Sequence, residues 1–208
     1  MIEIQNFDVY NFENAMRGMR NPMNSWKNND TYGLKIGPKD IDLAERLISA
    51  GQPNEKFLRQ IFVSIDIKAP LYWWKEMDTY KVGTTSDSCS TMHKIMAKEF
   101  SINDFSCDNN SVATDMYDKL IDYLNKLRQY YLDTKDKYKT QSNNPYWRAL
   151  IQILPEGYNQ LRTWTGSYAN LRNIYQQRKS HKLTEWISFC SYIAQNAPYA
   201  EQLITYGL

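Results

Sequence analysis

The sequence predicts an α/β (α+β) fold, and three observations carry that reading. Ile61, Val63, Ile65 and Ile67 alternate with other residues, a period of two that places four apolar side chains on one face of a strand. Pro70 has no backbone donor and ends that ladder, and the aromatic, charged segment LYWWKEMDTYK behind it reads as a helix. Further along, between residues 111 and 137 and between 158 and 178, apolar side chains recur every three or four residues, the helical spacing.

The elements follow in order. Ile2 and Ile4 alternate with polar neighbours and open the chain as a strand. Residues 11 to 37, rich in Asn, Met and Gly, read as irregular or short helical structure, with Arg17 and Arg20 available to a site. Pro38 suits an early helical position, Ile41, Ala44, Leu47 and Ile48 form one face, and Gly51 caps the end. The turn Gly51-Gln52-Pro53-Asn54 and a short amphipathic piece lead into the strand from Ile61 to Ile67.

After LYWWKEMDTYK the run Thr84 to Thr91 is a hydroxyl-rich loop, either a phosphate cradle of hydroxyls and amides or a simple exposed loop. The longest helix starts near Ser111 and reaches about Lys137, with Val112, Met116, Leu120, Leu124, Leu127 and Tyr131 on its apolar side. TKDKYKTQSNNP is an exposed turn, and helices are expected over Trp147 to Ile153, Tyr158 to Arg178 and Thr184 to Ala194. In the second of these Leu161, Trp164, Tyr168, Leu171 and Tyr175 form the buried stripe, and Asn170, Asn173 and Gln177 a polar face. Arg178 flanks the stripe, where a partly desolvated guanidinium needs a partner, either a carboxylate of the protein or a ligand.

Composition narrows the classes. The 208 residues suit one compact domain, and 42% hydrophobic with 23% charged residues argue against disorder and against a membrane protein. No apolar run approaches the roughly 20 residues of a membrane helix, and MIEIQNFDVY lacks a basic head and apolar signal core, so a cytoplasmic protein is expected. Three cysteines without CxxC spacing and two histidines indicate neither a disulfide framework nor a zinc site. Aromatic content is high, and stacking on single-stranded nucleic acid would use it, but a net charge of +2 supplies no basic groove. No phosphate-binding glycine motif is present.

The order of parts around Ile67-Lys68-Ala69-Pro70, a strand, an IKAP hinge, a helix and a polar loop, resembles the flavin-dependent thymidylate synthases, the ThyX family. That family places the pattern RHRxxSxNxxSxRY after the hinge helix. A second likeness lies at Leu154-Pro155 and then at Thr165, Leu171, Asn173 and Arg178, in register with the family pattern TxNARSLxNFLxLR, followed by Trp186-Ile187. The resemblance implies a single ThyX-like domain over residues 1–208, a mixed central sheet with a helical lobe, and a homotetramer with sites shared between subunits. The family moves a one-carbon unit from a folate to C5 of a pyrimidine deoxynucleotide, using FAD reduced by NADPH.

Laid on this chain, the triplet falls on Thr79, Tyr80 and Lys81, and the spaced Ser falls on Cys89. The resemblance therefore places cofactor contacts at Thr79, Tyr80, Lys81, Asn173 and Asn54, with Lys56 and Arg59 in the segment of Asn54. Substrate contacts fall on Arg178, Asp87, Ser88 and Thr91. Ile151 stands where the family has a phosphate-binding Arg, and Arg148 lies one helical turn earlier. Several family cations are thus absent, and FAD binding is expected to be weak. A thiolate is a stronger nucleophile than a hydroxyl, so Cys89, with Lys81 or Lys94 to lower its pKa, is either a nucleophile for C6 of a pyrimidine or an inert half-buried thiol.

Overall fold

The structure is a computed structural model that describes residues 2–108 and 111–208. In chain order the strands are β1 (Glu3–Tyr10), β2 (Phe62–Pro70), β3 (Thr85–Ser88) and β4 (Asn159–Ser167). The helices are α1 (Phe12–Gly18), α2 (Pro38–Ser49), α3 (Leu71–Met77), α4 (Thr91–Lys94), α5 (Ser111–Thr134), α6 (Pro145–Ile153), α7 (Tyr168–Arg178), α8 (Thr184–Asn196) and α9 (Ala200–Leu203). The four strands form one sheet in the order β1-β2-β4-β3.

The chain that leaves β2 at Leu71 returns beside it at Tyr158, where the Leu71 N–H donates to the Tyr158 carbonyl at 3.0 Å. β4 must therefore run back along β2, and at the far end the Tyr168 N–H donates to the Ile61 carbonyl, also at 3.0 Å. The four-stranded sheet is antiparallel, and with the helices it makes the α/β fold that the sequence predicts. Pro70 closes β2 and Leu71 opens α3, as the hinge sequence predicts.

Two compact units make up the chain, a larger one of Ile2–Ile67, Glu76–Asp87 and Arg162–Leu208 and a smaller one of Lys68–Lys75 and Ser88–Leu161. In the larger unit Ile61, Val63, Ile65 and Ile67 are all buried, as their alternation requires. Each removes enough apolar surface from water to contribute roughly 1.5–3 kcal/mol. Phe12 meets the Tyr168 ring edge-on at 5.4 Å, and Leu171, Ile174, Trp186 and Phe189 complete this core. Helix α2 is capped from a distance: the Asp30 carboxylate accepts from the N–H groups of Lys39 and Asp40, both at 3.0 Å. Arg20 is buried with its Nε 2.6 Å from the fully buried Asp40, while its Nη2 has no hydrogen-bond partner among the described residues.

The smaller unit packs Ile95, Met96, Phe100, Phe105, Leu124, Leu127 and Leu150 into one cluster, with Leu120 and Tyr131 of α5 against it. The α5 stripe is realised except at Met116, which is 63% exposed, while Val112's side chain lies outside the described residues. Asn144 caps α6 by accepting from the N–H groups of Tyr146 and Trp147, ahead of Pro145 at the first turn.

The expected helix from Tyr158 to Arg178 is half strand. Residues 159 to 167 join the sheet, Leu161 turns outward at 41% exposure, and only the second half is helical. The break has a local cause, a capping box in which Ser167 and Asn170 satisfy each other's backbone N–H groups. Gly166 is required just before it, since a Cβ there would stand 2.4 Å from the Trp164 indole, its neighbour two residues back on the same strand face.

Candidate functional site

In the smaller unit the chain leaving β3 passes beside the start of β4 and is fixed there by both of its polar backbone groups at Cys89. The Cys89 N–H donates to the Leu161 carbonyl at 2.9 Å, and the Cys89 carbonyl accepts from Gln160 Nε2 at 3.0 Å. Trp74 in turn donates its indole N–H to the Gln160 carbonyl at 3.0 Å. A buried indole thus holds the backbone of Gln160, whose side chain holds Cys89.

A cavity of about 240 Å³ opens beside this point, lined by Cys89, Ser90, Thr91, Lys94, Lys98 and Tyr158, with Ile95 and Leu161 among its apolar walls. Cys89 is an exposed free thiol. Ser90 caps the short helix α4 by accepting from the His93 N–H at 3.2 Å. Lys98 is ion-paired with Asp104. Burial raises the pKa of the Tyr158 phenol, and the nearby charges of Asp104 and Cys89 add to the rise, so the phenol remains a neutral donor. Chemically the cavity offers a thiol, hydroxyl donors and ammonium groups around a small apolar wall, and no lining residue is acidic.

The structure brings together only part of the expected set. Cys89 and Thr91 line the cavity, whereas Ser88 and Asp87 lie exposed on β3. The hydroxyl-rich stretch is thus an edge strand followed by α4 rather than a loop. Arg148 is exposed on α6. In the larger unit Lys81 is exposed and Thr79 spends its hydroxyl on the Glu76 carbonyl at 2.7 Å. Asn54, whose amide donates to the Ala50 carbonyl at 3.3 Å, lines a separate cavity of about 550 Å³ with Lys56, Met19, Leu47 and Phe57.

Arg178 and Tyr80 meet in the larger unit as parts of one closed polar cluster. Arg178 NH1 lies 2.8 Å from Glu76 Oε2, and its Nε donates to the Tyr80 hydroxyl at 2.8 Å. The guanidinium also covers the Trp186 ring at 4.9 Å, and the Trp186 indole N–H donates to Glu76 Oε2 at 2.8 Å. The Tyr80 hydroxyl donates to Gln177 Oε1 at 3.0 Å, and Gln177 donates to Asn173 Oδ1 at 2.9 Å. A protein carboxylate, that of Glu76, is thus one partner of Arg178.

This arrangement bears on a flavin. A dinucleotide needs donors free to meet its phosphates and ring carbonyls, and of the positions that the resemblance assigns to FAD, Thr79, Tyr80 and Asn54 direct theirs at the Glu76 carbonyl, Gln177 and the Ala50 carbonyl, Asn173 accepts from Gln177, and Lys81 is exposed. Thr79, Tyr80 and Asn54 would have to exchange these bonds for contacts to FAD, whereas the exposed Lys81 would not. Sequence reasoning missed Lys98, Tyr158 and Gln160, because the meeting of Tyr158 and Gln160 with Cys89 depends on the β3 and β4 pairing. An alternating reading of Gln160, Arg162 and Trp164 with the Ser167–Asn170 cap would have signalled that strand.

Among the described residues no group of three His, Cys, Asp or Glu side chains is placed to hold a metal ion, and no helix is long and apolar enough to cross a membrane. No protein-family model and no curated protein matches the sequence. Solved structures do match. Thymidylate Synthase X (ThyX) from Helicobacter pylori with FAD and dUMP superposes with a TM-score of 0.75 at 16% identity, over 100% of this chain and 98% of that one. A second structure of the flavin-dependent thymidylate synthase ThyX from the same organism, complexed with FAD and dUMP, gives 0.73 at 16% identity over 99% and 97%. With a four-stranded antiparallel sheet, a Pro70 hinge at the end of β2 and agreement over the full length, this chain has the ThyX fold.

Proposed function

We propose that this chain binds a pyrimidine nucleotide in the cavity beside Cys89, with the thiol as the group that adds to C6 of the base. The observation that carries the reading is the concentration of thiol, hydroxyl and ammonium groups in one small cavity of a chain with the ThyX fold. A pyrimidine suits it: ring carbonyls accept from hydroxyl and amide donors, and the flat ring packs on Ile95 and Leu161. Cys89 is accessible to a ligand and its backbone is held at both polar groups, so the nucleophile is positioned before binding.

In its active form such a protein is a flavin-dependent enzyme that alkylates C5 of a changed nucleotide substrate, with FAD, NADPH and a folate as partners and a homotetramer as the assembly. FAD would supply hydride there. The closed cluster around Arg178 favours a second reading, a catalytically inactive ThyX homologue that acts as a nucleotide-binding or assembly protein. Calorimetric titration with dUMP and the visible spectrum of the purified protein separate them. Binding of dUMP without flavin colour supports the inactive homologue, and stoichiometric FAD supports the enzyme. Failure to bind dUMP, with or without added FAD, refutes the nucleotide reading.

A further inference from the structure

We propose that Lys94 is the phosphate anchor of the Cys89 cavity, the one residue of this chain that holds the charged end of the nucleotide there. The inference rests on the reading of that cavity as a nucleotide site and assigns the residue that holds the ligand's charged end. Two ammonium groups line the cavity, and they are not equivalent. Lys98 is matched by the carboxylate of Asp104, which also accepts from the Ser101 N–H at 2.9 Å and is almost fully buried. Lys94 has no ion-pair partner among the described residues.

Because no lining residue is acidic, the charge of Lys94 is left uncompensated in a concave wall of hydroxyl and amide donors. That combination attracts an anion with several acceptor oxygens. Thr91 lies three residues before Lys94 on α4 and so shares its face, placing a hydroxyl beside the ammonium. The wall is also set in advance, since Cys89 is bonded through its N–H and its carbonyl and Ser90 is bonded to the next turn. At about 240 Å³ the cavity is smaller than those that enclose drug-sized molecules, so it takes one phosphate and the nucleoside end attached to it rather than a dinucleotide.

The test is calorimetric titration of the full chain and of Lys94→Met and Lys98→Met with dUMP and with deoxyuridine at millimolar concentration. Lys94 is exposed, so the substitution is expected to leave the melting curve unchanged. Lys94→Met should weaken dUMP roughly 10- to 100-fold, the effect of one charge-assisted contact, leave deoxyuridine within a factor of about two, and exceed the effect of Lys98→Met. If Lys94→Met binds dUMP as the parent does, the anchor is elsewhere while the nucleotide reading stands. Equal losses for dUMP and deoxyuridine would place Lys94 on the nucleoside and overturn the assignment. A parent protein that binds neither ligand removes the nucleotide reading and this inference with it.

Discussion

Replacing Arg178 by Ala tests the closed cluster directly. The substitution removes the 2.8 Å ion pair with Glu76, the 2.8 Å bond to Tyr80 and the guanidinium face over Trp186. A charge-assisted hydrogen bond is worth about 1.5–3 kcal/mol and a cation–π contact about 0.5–1 kcal/mol at an accessible site. Arg178 and Glu76 are 19% and 34% exposed, and screening at that exposure brings the expected cost to roughly 2–3 kcal/mol. Glu76 retains the Trp186 indole as a donor, which keeps the penalty below that of a stranded buried charge.

For a chain of this size a loss of 1 kcal/mol lowers the melting temperature by roughly 2–4 °C, so Arg178→Ala should melt about 4–12 °C below the parent. Thermal denaturation followed by circular dichroism measures the shift. A double-mutant cycle with Glu76→Gln should return a coupling of about 1–2 kcal/mol, because the two side chains act on each other. A melting temperature unchanged within about 1 °C, together with a loss of dUMP affinity, would show that Arg178 serves a ligand and would refute the argument.

Asp40→Asn should destabilise by about 3–5 kcal/mol in urea denaturation, because the buried Arg20 loses its counter-charge, and a change under 1 kcal/mol would refute the importance of that pair. Iodoacetamide should modify the exposed Cys89 first and the buried Cys190 last, and comparable rates at both would contradict the described burial. Burial pushes the Cys190 thiol up to about 12, against a pull downward from the Arg178 charge. Since the folded pKa is raised, the stability that the neutral thiol contributes is complete below pH 9.0 and is lost as the pH rises from there toward about 12. Melting temperatures across that window should fall less steeply in Cys190→Ala than in the parent.

The sequence by itself determined the features that local periodicity and punctuation control. The alternating isoleucines of β2, the stop at Pro70, the start of α2 at Pro38 and its end before Gly51, and the spans of α6 and α8 all follow from side-chain spacing and backbone constraints within a few residues. Tertiary structure decided between helix and strand at β4. Leu161, Trp164 and Tyr168 fit a helical stripe as well as they fit a strand, and pairing with β2 settled the matter, with Ser167–Asn170 as the local sign. The same holds for the site. That Arg178 would need a partner was legible from its place beside an apolar stripe, but its pairing with Glu76, and the meeting of Cys89 with Tyr158 and Gln160, join residues far apart in the chain. Such contacts depend on which surfaces pack together, and no local pattern encodes that.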